Sequence, residues 1–60
     1  MDKSNKVSIM LSNILEARSQ ITKTRSILFE MGFRENDDIM ELLEEVSNLL
    51  DVYSREIENI

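Results

Sequence analysis

Apolar residues recur through the first half of the chain in an unbroken alternation of three- and four-residue steps: Val7, Met10, Ile14, Ala17, Ile21, Thr24, Leu28 and Met31. A 3.5-residue period sustained this long predicts a helix with a coiled-coil-like seam, because residues so spaced return to one side of an α-helix. Large Val7, Ile14, Ile21 and Leu28 alternate with smaller or more pliable Met10, Ala17, Thr24 and Met31. Ala17 and Thr24 leave room for a facing helix to approach closely. The second half carries a wider stripe. Ile39, Val46, Tyr53 and Ile60 form one row, Leu42 and Leu49 continue it, and Leu43, Leu50 and Ile57 run beside them. Three apolar positions in every seven mark a bundle helix with more than one neighbour.

Strong punctuation falls only between Gly32 and Asp38. Gly32 suits the left-handed position that closes a helix, with Phe33 placed to pack back on Leu28 or Phe29. Asn36 is the expected N-cap of the second helix, and Asp37 with Asp38 sets negative charge on its first turn, where the helix dipole favours it. Ser4 is the expected N-cap of the first. Helices are thus predicted over about 5–31 and 37–59, and a connection of about four or five residues makes them antiparallel neighbours. The expected fold is all-α, a single helical-hairpin domain over residues 1–60.

Size turns that pattern into an expectation about assembly. A chain of 60 residues buries only about 60% of the surface its unfolded form exposes, so small folds lean on disulfides, metals or association. With no Cys and no His, disulfides and the usual zinc ligands are gone. Association remains, and the second stripe is too broad for one hairpin partner to cover. The hairpins are expected to pair as a homodimeric four-helix bundle. Its core would combine the Val7-to-Met31 seam with Ile39, Leu42, Leu43, Val46, Leu49, Leu50, Tyr53 and Ile57. An obligate heterodimer is the alternative. Ile9, Leu15 and Phe29 then fall on outer positions of the first helix, with Leu11 and Ile27 on its flanks. Leu15 and Phe29 lie two heptads apart with Thr22 between them, a candidate strip for a protein partner.

Charge divides the chain. Residues 1–32 hold five basic and three acidic side chains, a net of +2, and residues 33–60 hold two and nine, a net of −7, which together give the −5 of the whole. A basic helix beside an acidic one pairs favourably and fixes orientation; the acidic face could alternatively dock on a basic partner. Arg18, Lys23 and Arg25 are too few to make a nucleic-acid footprint. Catalysis by a Ser–His–Asp or Cys–His set is excluded by composition, and a Gly-rich phosphate loop by the single glycine. Glu41, Glu44 and Glu45 read as a solvated face. Asn36, Asp37 and Asp38 lack the ligand spacing of a calcium loop. No enzyme, cofactor or metal is expected. No apolar run approaches the ~18 residues of a bilayer span, and Met1 to Lys6 leads into no signal-like segment, so a cytoplasmic protein is expected.

Two families share features with this chain. Its length, tight central turn, alternating small and large core positions, the Arg18-Ser19-Gln20 stretch and the Ile39-Met40-Glu41-Leu42-Leu43 opening resemble Rop-like hairpin regulators. That resemblance implies a dimeric four-helix bundle and, as an alternative function, RNA binding. Of the RNA-contacting positions only Gln20 matches: Glu16 stands where an aromatic would be, and Ile27 where a lysine would be. Ser47-Asn48-Leu49-Leu50-Asp51 resembles the Ser-Gln-Glu-Leu-Asp motif of the sporulation aspartyl-phosphate phosphatase family, keeping Ser, Leu and Asp. Ile21, Arg25 and Leu28 are similar in spacing to that family's first helix. This second resemblance implies that Asn48 and Asp51 address a response regulator's phosphoaspartate. The function expected from the residues themselves is a small non-enzymatic regulatory, adaptor or chaperone-like protein that acts through helix-face contacts.

Overall fold

The computed structural model of the protein describes residues 3–60. Over them run two helices, α1 (Lys3–Glu30) and α2 (Asp38–Glu58), packed against each other as an antiparallel hairpin. The apolar periods therefore place both elements, with ends differing from expectation by one or two residues. Ser4 is a correction. It lies inside α1, which has begun by Lys3, and a residue with helical backbone cannot be the half-in residue that caps it.

The turn is built from two hydrogen-bonded closures. Gly32 sits at φ +100°; its N–H donates to the Phe29 carbonyl at 3.0 Å, and the Phe33 N–H donates to the Leu28 carbonyl at 3.0 Å. These bonds satisfy two of the carbonyls a helix end leaves open, the Schellman arrangement expected from Gly32 and Phe33. A Cβ at Gly32 would meet nothing within 4 Å, so the need for glycine is one of backbone angle alone. Gly32→Ala is expected to cost about 1–2 kcal/mol, lowering the thermal midpoint by roughly 4–8 °C for each kcal/mol. An unchanged circular-dichroism melt would show that the turn does not depend on glycine at position 32.

The second closure corrects the expected cap. Asp37, not Asn36, is the N-cap of α2, with φ −71° and ψ 143° and no side-chain capping bond. Its carbonyl accepts the N–H groups of Met40 and Glu41, each at 3.0 Å. Its carboxylate points backwards and accepts the Arg34 N–H at 2.6 Å, while the Asp37 N–H donates to the Arg34 carbonyl at 3.0 Å. Residues 34–37 thus form a β-turn clasped twice between its end residues, and Asn36 is spent inside it. Asp38 and Glu41 supply the negative charge of the first turn.

The result is a slab with principal extents of 47 × 16 × 9 Å. Among the described residues only Met40, 1% exposed, is fully buried. The solvent-accessible surface is 4763 Å² for a 7.0 kDa chain, where a compact monomer of that mass exposes about 4,000 Å². The radius of gyration is 14.2 Å, against about 10 Å for a compact chain of this length. Two helices side by side have a line of contact and, beyond Met40, almost no interior among the described residues.

Candidate functional site

The helices meet through one seam each. On α2 it runs Met40, Leu43, Ser47, Leu50, Ser54 and Ile57, in strict three- and four-residue steps, all buried or half-buried. On α1 it runs through half-buried Val7, Leu11, Ile14, Arg18, Ile21, Arg25 and Leu28, in steps of four and three. Leu11, expected on a flank, is therefore in the seam. Small Ser47 and Ser54 let the backbones approach, and a helical serine can return its hydroxyl to a carbonyl one turn back.

One ion pair marks which side of each helix lies on which face of the slab. Arg18 Nη1 lies 2.9 Å from Asp51 Oδ1, both side chains about two-fifths exposed. Asp51 follows Leu50 around α2 by about 100°, onto one shoulder of the seam. Glu44 and Glu58, a heptad either side, share that shoulder. On the opposite face of the hairpin stand the other shoulders: Ile39, Val46 and Tyr53 on α2, with Leu42 and Leu49 just beyond, and Met10, Ala17 and Thr24 on α1, continued by Met31 just past its end. The five α2 residues are 41–59% exposed. Thr24 and Met31 are exposed and Met10 and Ala17 half-buried. Side chains that would be core in a larger protein thus form one continuous apolar face, with exposed Ile27 on its outer edge.

The other sequence-derived positions fall elsewhere. Ile9, Leu15 and Phe29 are all exposed, with Leu15 and Phe29 on the side of the Arg18–Asp51 pair and Ile9 at the back of α1. Of the phosphatase-like stretch, Ser47 and Leu50 are turned into the seam, Asn48 and Leu49 are exposed, and Asp51 is held by Arg18. Glu16 and Gln20 are exposed. Asp38, Glu41, Glu44, Glu45 and Asn48 border an open hollow along α2 alone. Among the described residues no three Asp, Glu, His or Cys side chains gather to hold a metal ion, and no helix is long and apolar enough to cross a membrane.

Sequence periodicity missed Met40 and the arginines. Met40 extends the row of Leu43, Leu50 and Ile57 by its three-residue spacing to Leu43, and its flexible thioether suits an irregular gap near the turn. Arg25 packs its stem in the seam, and its Nε is buried with no hydrogen-bond partner. A buried donor without a partner costs about 1–3 kcal/mol. Arg25→Leu keeps the apolar stem and removes the orphan, so its melting temperature is expected to equal or exceed that of the parent. A clear fall would show that the guanidinium has a partner in solution. Asp51→Ala, by contrast, removes a partly exposed pair worth at most about 1 kcal/mol and is expected to leave helicity intact by circular dichroism.

No protein-family model matches the chain, and no curated protein or solved structure is significantly similar to it.

Proposed function

We propose that the chain is a small non-enzymatic regulatory, adaptor or chaperone-like protein of the cytoplasm that works through the protein–protein contacts of a homodimeric four-helix bundle. The observation that carries this reading is the continuous apolar face of the hairpin, where Ile39, Leu42, Val46, Leu49 and Tyr53 stand exposed together. Scattered exposed apolar side chains are ordinary, but a contiguous face of them marks an interaction site. The hairpin exposes roughly 700 Å² more than a compact chain of its mass, close to the ~800 Å² that a standard interface removes from each partner. Pairing two such faces supplies the interior that a single slab lacks. Ile9, Leu15 and Phe29 remain outside the bundle and are the apolar positions offered to a client protein.

The acidic balance of the chain counts against the RNA-binding alternative, because nucleic-acid affinity draws on neutralised phosphates. Salt-dependent retention of structured RNA would restore it. Sedimentation equilibrium tests the main reading. A species of twice the 7.0 kDa chain mass is expected across the micromolar range. A cooperatively melting single copy at those concentrations would defeat it.

A further inference from the structure

We infer that the apolar face is covered by a second copy of this chain seated with both turns at the same end of the bundle, so that α1 of each copy lies over α2 of the other. The inference rests on the dimer reading above and specifies its geometry. Two identical slabs meeting face to face are related by a two-fold axis lying in the plane between them. If that axis runs along the helices, α1 faces the α2 of the second copy. If it runs across them, α1 faces α1, α2 faces α2, and the turns lie at opposite ends. All neighbouring helices are antiparallel either way, so helix dipoles do not choose between them. Charge and side-chain size do.

Within the helices, α1 carries five basic and two acidic side chains, a net of +3, and α2 carries one and seven, a net of −6. The crosswise axis would lay −6 along −6 for the length of α2. The lengthwise axis lays +3 along −6 on both sides of the bundle. Opposite fields across an interface attract, and like fields facing each other disfavour the arrangement.

Size follows the same choice. The Arg18–Asp51 pair marks the register of the hairpin, with residues at equal height having numbers that total about 69. An axis along the helices preserves height, so the same register relates α1 to the α2 of the second copy. Met31 then meets Ile39, Thr24 meets Val46, Ala17 meets Tyr53 and Met10 meets Ile60, four layers spaced one heptad apart. Along the outer edge Ile27 falls level with Leu42. Small Ala17 is set against large Tyr53 and Thr24 against Val46 of the same size, which keeps helix separations even, as close-packed cores require. The crosswise axis would set Val46 against Tyr53 along α2 and Ala17 against Thr24 along α1, and those two helix pairs would need different separations.

The chain has no cysteine, so Glu35→Cys in the exposed turn gives one labelling site per copy, away from the face. Nitroxide labels there are expected to show a pulsed-EPR distance of roughly 20–30 Å, set by the ~10 Å spacing of neighbouring helices plus the two label arms. Turns at opposite ends would give about 40 Å or more, the length of the helices. A mixture of Thr24→Cys and Val46→Cys chains, distinguished by mass, should form the mixed disulfide. A dimer with the long distance, or one in which Leu49→Cys cross-links to itself while the mixed pair does not form, overturns the arrangement and leaves the dimer standing. A labelled protein that sediments as a single copy overturns both.

Discussion

Val46→Asp is expected to convert the proposed helical dimer into a largely unfolded single chain. In the hairpin alone Val46 is 41% exposed, and aspartate is nearly the same size, so the substitution disturbs little within one copy and its carboxylate can reach water. In the proposed dimer each copy would bury that carboxylate against apolar side chains. A buried polar group without a partner costs about 1–3 kcal/mol, and more when charged. Each dimer carries the change twice, so the dissociation constant should rise by roughly a thousandfold or more. Helix content should fall with it, because the separated hairpin retains only Met40 as a buried residue among those described. Sedimentation and circular dichroism on the same samples read the two effects together. Leu15→Asp, on the opposite face, is the control and should change neither. If Val46→Asp sediments and melts as the parent does, the apolar face is not what holds two copies together.

The second large effect concerns Met40. It is the one described side chain removed from water on all sides, at 1% exposure, and it sits in the first turn of α2, just after the connection between the helices. Truncating a fully buried methionine to alanine costs about 2–5 kcal/mol, through lost transfer energy and the cavity left behind. A single small core supplies only about 3–5 kcal/mol in total. Met40→Ala should therefore leave the chain at the edge of folding, with a denaturation midpoint far below that of the parent at equal concentration. Met40→Leu conserves volume and should cost less than about 1.5 kcal/mol. Equal losses from alanine and leucine would mean that the thioether's flexibility, and not its volume, matters there. A negligible loss from both would deny the turn-proximal packing any part in stability.

Much of the fold was legible in the chain itself. The steps of three and four from Val7 to Met31 place α1, the three apolar positions per heptad from Ile39 place α2, and Gly32 with Phe33 foretells the cap that closes α1. These features depend on neighbours a few residues apart, and local physics decides them. The caps at the N-termini were less legible. Ser4, Asn36 and Asp37 are all good capping types, and the choice depended on where the chain was already bent: the Asp37 carboxylate was taken by the Arg34 N–H, a contact that exists only once the turn has formed.

Periodicity also identifies which residues share a face of a helix, without saying which face meets which helix. The sequence shows two apolar rows on α2. It does not show that the row interrupted by Ser47 and Ser54 would take α1 and leave the fuller row of Ile39, Val46 and Tyr53, with Leu42 and Leu49, open to solvent. Packing in three dimensions decided that, with Arg18 and Asp51 joined on one side and the serines letting the backbones approach. The amino-acid order thus determined two amphipathic helices, their turn and their surplus of apolar surface. The tertiary structure alone determined how that surplus gathers on a single face, because the side on which two helices join is set by contacts between residues far apart in the chain.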